Sequence, residues 1–154
     1  MLYRTVDTNT YVSVLKELVE EGKEVQLLIA GNSMAPFLVH QRDYIYFEKP
    51  TKELRRGDMV FYKRSNGQYI MHRIYKVDSD DYYMLGDAQT AVEGPLKEEQ
   101  IFAVVTKVKR KGKWIGPENF WWKFYARVWI KVLPLRRILV MVYGVFSRKE
   151  QTDV

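Results

Sequence analysis

Apolar and polar positions follow three different rhythms along this chain, and each predicts a different kind of element. Val12, Val14, Leu15, Leu18 and Val19 recur three and four residues apart, with Lys16, Glu17, Glu20 and Glu21 around them; this spacing predicts a helix over residues 9–21. Thr8 or Thr10 suits its start, and Gly22 suits its end. From there to residue 116 the apolar runs are short and β-rich. They predict strands over residues 24–30, 43–47, 59–62, 69–77, 82–85, 101–108 and 113–115. Asn66-Gly67 falls between two of them and signals a hairpin. The third rhythm begins at Asn119. Lys123, Arg127 and Lys131 repeat every four residues on one helical face, while Trp121, Trp122, Phe124, Tyr125, Val128, Trp129 and Val132 cover the rest. Pro134 breaks this pattern, which resumes over residues 135–146 with Arg136-Arg137 inside it. The chain therefore divides into an N-terminal helix (1–23), a mainly antiparallel β module (24–116) and a basic, aromatic helical region (117–154).

Composition narrows what such a module can do. At 154 residues, 47% hydrophobic and 29% charged, the chain suits one folded domain. It has no cysteine, which excludes disulfides, thiolate zinc sites and a cysteine nucleophile. Its two histidines, His40 and His72, lie in no HExxH-like spacing, so no metal and no cofactor are expected. The net charge of +6 is unevenly placed. Residues 1–106 carry 13 Lys/Arg against 16 Asp/Glu, and residues 107–154 carry 12 against 3. An anionic partner is thus expected for the C-terminal region alone. No signal-peptide pattern stands at the start, and no stretch of 18 uncharged apolar residues occurs, so no conventional spanning helix is expected.

Ser33 is the serine whose surroundings suit a nucleophile. It follows the 24–30 strand directly, inside Gly31-Asn32-Ser33-Met34-Ala35-Pro36, where a strand can fix the hydroxyl and a turn can expose it. The same turn offers backbone N–H groups to a developing oxyanion. His72 lies on a strand whose alternation puts it beside Ile70 and Ile74. That environment suits a core histidine or a sheltered base, and with no cysteine and two histidines the pair with Ser33 is the natural one. His40 sits on a loop beside Gln41-Arg42-Asp43 and reads as a surface residue. A third group should orient the imidazole. Asp87 reads as a turn residue and Glu93 as a loop charge, and residue chemistry does not choose between them.

Four segments occur together and in order: Gly31-Asn32-Ser33-Met34-Ala35-Pro36, Arg56-Gly57-Asp58-Met59-Val60, Met71-His72-Arg73-Ile74 and Leu85-Gly86-Asp87-Ala88-Gln89. This ordered set resembles type I signal peptidases and their self-cleaving repressor relatives. It is most similar to the endoplasmic-reticulum and sporulation branch, in which histidine replaces the catalytic lysine. The resemblance spans about residues 27–108. It implies the small β fold of that superfamily, with Ser33 as nucleophile and His72 as general base. It also implies that the triad acid is Glu93, six residues beyond the Gly-Asp aspartate, with glutamate where the branch has aspartate. Gly31 stands where many relatives carry a hydroxyl that helps the oxyanion hole, so the hole would rest on backbone N–H groups or on Asn32.

The resulting expectation is a divergent bacterial serine endopeptidase acting on a peptide or preprotein. A non-catalytic peptide- or membrane-binding protein of the same fold is the alternative. Residues 119–146 are expected to rest on an anionic membrane surface, with Trp121, Trp122 and Trp129 in the interfacial layer, or else to pack on the β module. The protein is accordingly expected to be membrane-associated and peripheral. Nucleic acid is not an expected partner, because the basic aromatics fall on a helical rather than a strand pattern and residues 1–26 are too short for a DNA-binding domain.

Overall fold

The computed structural model describes residues 8–142 apart from Pro134, Arg137 and Val140. Helix α1 (Thr8–Glu20) follows the amphipathic spacing and ends at Gly22. Its apolar stripe, Val12, Leu15 and Val19, is buried. Eight strands follow: β1 (Val25–Leu28), β2 (Tyr44–Glu48), β3 (Met59–Lys63), β4 (Tyr69–Asp78), β5 (Asp81–Leu85), β6 (Glu93–Leu96), β7 (Ile101–Arg110) and β8 (Lys113–Ile115). Each pairs antiparallel in one sheet of order β1-β2-β7-β3-β4-β5-β6, with β8 on β7. The mainly antiparallel β class is the one the strand pattern predicts. Strand β6 is not among the predicted strands. Its sequence, Glu-Gly-Pro-Leu, has no alternation, and it exists because it pairs with β5, Tyr82 facing Leu96 and Met84 facing Glu93.

Strand β3 is buried on both faces and separates two apolar clusters. Met59 and Phe61 join a cluster with α1, Ile45, Phe47, Val105 and residues of the Ser33 loop. Val60 and Tyr62 point into a second cluster with Ile74, Met84 and Leu96. His72 lies opposite Val60 in the β3–β4 register and so shares the face of the second cluster.

The C-terminal region departs from one continuous amphipathic helix. Helix α2 (Phe120–Arg127) is capped by Asn119, whose Oδ1 accepts from the amides of Trp121 and Trp122. It ends before Val128, and a 3-10 turn over Trp129–Lys131 follows, so Lys131 does not continue the row of Lys123 and Arg127 on the same α-helix. Leu133, Leu135, Arg136, Ile138, Leu139, Met141 and Val142 are helical again. The rest of the segment read as helical, residues 143–146, lies outside the described residues. Trp122 and Tyr125 are buried with α1 in the first cluster, packed against Phe37 at ring distances of 6.1 and 5.0 Å. This helix lies tight against the turn before β3 at Gly57, whose φ is +96° and where a Cβ would stand 2.6 Å from the Ala126 carbonyl oxygen. No helix among the described residues is long and apolar enough to cross a membrane.

Candidate active site

The Ser33 loop is held from below and from both sides. Met34, Phe37 and Leu38 are buried in the first cluster and anchor it, while Ser33 stays partly exposed. On one side the Gly31 amide donates to His40 Nδ1 at 2.7 Å. His40 is on the surface, as expected, and also ties the start of the loop to its end. On the other side the Ala88 amide donates to the Ser33 carbonyl at 2.9 Å. Gly86 lies so close that an added Cβ would stand 2.6 Å from that same oxygen. The amides of Ala35 and Leu38 bond within the loop, to Asn32 and Met34. Those of Ser33 and Met34 have no acceptor among the described residues.

Ser33 and His72 line one cavity of about 610 Å³. Its other walls are β1 and the residues after it, Met71 and Ile70 of β4, Phe61 of β3, and Tyr11 and Val12 of α1. The lining is mostly apolar, and its polar side chains are Ser33, His72, Arg64, Gln89 and the tyrosines Tyr11 and Tyr69.

His72 is buried, with 4% of its surface exposed. Its Nδ1 is 3.1 Å from the Tyr62 hydroxyl, which lies diagonally across the β3–β4 ladder. That hydroxyl in turn donates to Glu93 Oε2. Glu93 also receives Arg64, Nε at 2.5 Å from Oε1 and Nη2 at 3.2 Å from Oε2. The direction of this chain follows from proton counting. Burial works against the Glu93 carboxylate, but the bonds from Arg64 and Tyr62 outweigh it and hold the carboxyl below its ordinary range. An ionised carboxylate can only accept, so the single phenolic proton points to Glu93. Tyr62 oxygen then accepts from Nδ1–H, and the Nε2 lone pair is left unspent. Burial, ahead of the repulsion from Arg64, pushes His72 down to about 4, while Glu93 and Asp87 pull it up; the imidazole is neutral at pH 7. Burial and Glu93 together drive the Tyr62 phenol upward, so it keeps its proton.

The expected direct contact between Glu93 and the imidazole is not what the structure holds. Glu93 reaches His72 through Tyr62, the last residue of the strand expected over 59–62. Its signal was present in the alternation, which puts Tyr62 on the same face as Val60, but only the β3–β4 register brings it beside His72. Glu93 itself is on a paired strand and not on a solvated loop.

Asp87 is occupied elsewhere. Its carboxylate takes Nε and Nη2 of Arg73, each at 2.9 Å, with both side chains nearly fully buried. Arg73 Nη1 donates to the Gly57 carbonyl at 2.8 Å. One guanidinium thus binds together the Arg56-Gly57-Asp58, His72-Arg73 and Gly86-Asp87 segments and explains physically why they occur as a set.

The Peptidase S24-like family model matches residues 2–109, about two thirds of the chain and all of the residues just described. No curated protein matches the chain.

Proposed function

The chain belongs to the Peptidase S24-like family, and on that premise we propose that it is a serine endopeptidase with Ser33 as nucleophile and His72 as general base. The observation that carries this reading is the shared cavity, whose wall holds both a partly exposed serine and a histidine whose Nδ1 is already committed to Tyr62. Neutral Nε2 takes the Ser33 proton as the oxygen attacks a peptide carbonyl, and returns it to the leaving amine. The positive charge that develops on the imidazole is felt by Glu93 through Tyr62, in a site where burial strengthens the interaction. The amides of Ser33 and Met34 are the donors available for the oxyanion, and the Gly31 amide is spent on His40.

The apolar walls favour a peptide with apolar residues beside the scissile bond, consistent with the resemblance to the histidine branch of signal peptidases. Incubation of the purified protein with apolar peptides, compared with Ser33→Ala, is the test. Cleavage by wild type and none by Ser33→Ala is expected. Equal cleavage by both would overturn the assignment.

We further propose that the C-terminal region rests on an anionic membrane surface. Support comes from α2 and the residue that follows it: Phe120 is 69% exposed, and Trp121 and Val128 are also exposed. Leu135, Ile138, Leu139, Met141 and Val142 continue the exposed apolar series. Lys123, Arg127 and Lys131 supply positive charge near it.

A further inference from the structure

The loop that supports Ser33 is itself held from outside the family-matched span. Gly86, Asp87, Ala88 and Gln89 turn so that one amide, that of Ala88, holds the Ser33 carbonyl. Three carbonyls of the same loop are taken by two residues that lie beyond residue 109. Arg136 Nη1 donates to the Gly86 and Gln89 carbonyls, each at 3.2 Å. Trp129 Nε1 donates to the Asp87 carbonyl at 2.8 Å. The two are also bound to each other: Arg136 Nη2 donates to the Trp129 carbonyl at 2.7 Å, and its guanidinium lies 4.9 Å from the Trp129 ring centroid. We propose that Trp129 and Arg136 form a strap that positions Ser33 through the Gly86–Gln89 loop, making the C-terminal region part of the catalytic apparatus.

The energetics favour a geometric role. Arg136 is 1% exposed and its donors go to carbonyls, with Nε left unpartnered among the described residues. Burial lowers its basicity first, with Asp87 partly opposing this and Arg73 adding to it. A buried cation held in this way is costly, and an apolar side chain would stabilise the contact more cheaply. What a planar fork offers that an apolar residue lacks is that Nη1 takes two carbonyls three residues apart in one turn while Nη2 holds the Trp129 carbonyl, which fixes the turn's shape. Ser33 inherits that shape through one hydrogen bond and one close backbone approach at Gly86. The inference rests on Ser33 being the nucleophile.

The test uses the full chain and three variants, Arg136→Gln, Arg136→Lys and Trp129→Phe. Two readouts are followed: the rate at which a fluorophosphonate labels Ser33, located by mass spectrometry and set beside kcat and KM for a cleaved peptide, and amide hydrogen exchange at Ala88. Arg136→Gln is expected to lower labelling and kcat by about tenfold or more with KM little changed. Arg136→Lys should recover part of the loss, and Trp129→Phe, which removes the indole donor but keeps an aromatic ring under Arg136, should show a smaller loss. In each case Ala88 exchange should quicken while β7 amides keep their protection. Wild-type labelling together with wild-type Ala88 exchange in Trp129→Phe and Arg136→Gln would overturn the strap. Should Arg136→Gln fail to fold, Trp129→Phe decides by the same two readouts. If wild-type protein is never labelled at Ser33, the peptidase reading fails, and unchanged Ala88 exchange in the variants would reject the strap separately.

Discussion

His72, Tyr62 and Glu93 form a series in which each proton position is dictated by the next residue. Tyr62→Phe and Glu93→Gln should therefore lower kcat to a similar degree, about tenfold, and the double variant should be little worse than either. Steady-state kinetics on the two singles and the double check this. Independent, multiplying losses would show that Glu93 and Tyr62 do not act in one line. Asp87→Asn should behave differently. It leaves the Arg73 cation buried without its partner, a loss of about 3–5 kcal/mol of stability, read by chemical denaturation. The pH response follows from the depressed His72 value. Its folded pKa, about 4, lies below the ordinary histidine value of 6.5. The unfolded chain therefore binds the proton first as pH falls, and stability declines between pH 6.5 and 4 by up to roughly 3 kcal/mol from this group. Above 6.5 the contribution is complete and flat. Glu93, also depressed, adds to the loss at acid pH as its carboxyl protonates. His72→Gln should remove the His72 part of the slope in thermal melts across that window. Peptidase activity should rise with pH on the acid side of the usual histidine range, because burial keeps the imidazole neutral there.

At the scale of elements, α2 has two faces with separable roles. Trp122 is buried against Phe37, and its replacement by Ala should cost about 3–5 kcal/mol. Trp121 and Phe120 are exposed and pack mainly on each other and on Phe124. Trp121→Ala with Phe120→Ala should leave the melting temperature almost unchanged and weaken co-sedimentation with anionic vesicles. Vesicle binding that is indifferent to this pair, and to salt, would argue against the membrane surface. The two faces also show what amphipathic spacing conveys and what it omits. The period of Lys123 and Arg127 marks a polar stripe correctly. It does not say which aromatic neighbours face protein, since Trp121 and Trp122 differ by one position and are equally apolar.

Taken as a whole, the molecule does not separate cleanly after Gly116. Trp122 and Tyr125 complete the cluster under Phe37, Trp129 and Arg136 hold the Gly86–Gln89 loop, and α2 lies on Gly57. A chain ended at Gly116 should therefore melt lower and lose activity along with any vesicle binding. A truncated form with full stability and full turnover would show the C-terminal region to be an independent attachment. By itself the sequence determined the α1 helix, seven of the strands, the mainly antiparallel class and the ordered segments carrying Ser33, His72, Arg73 and Asp87. Those are local properties: hydrophobic period, turn residues and short motifs survive in one dimension. It could not determine β6, whose Glu-Gly-Pro-Leu has no period of its own, nor the identity of Arg73 as Asp87's partner. Nor could it reveal Tyr62 between Glu93 and His72, or Arg136 of the Arg136-Arg137 pair buried against loop carbonyls. Each of these depends on which residues meet across strand registers and on a helix packed from the far end of the chain. Charge and polarity are written in the sequence, but whether a charge is solvated or buried against carbonyls is decided only when distant segments fold together.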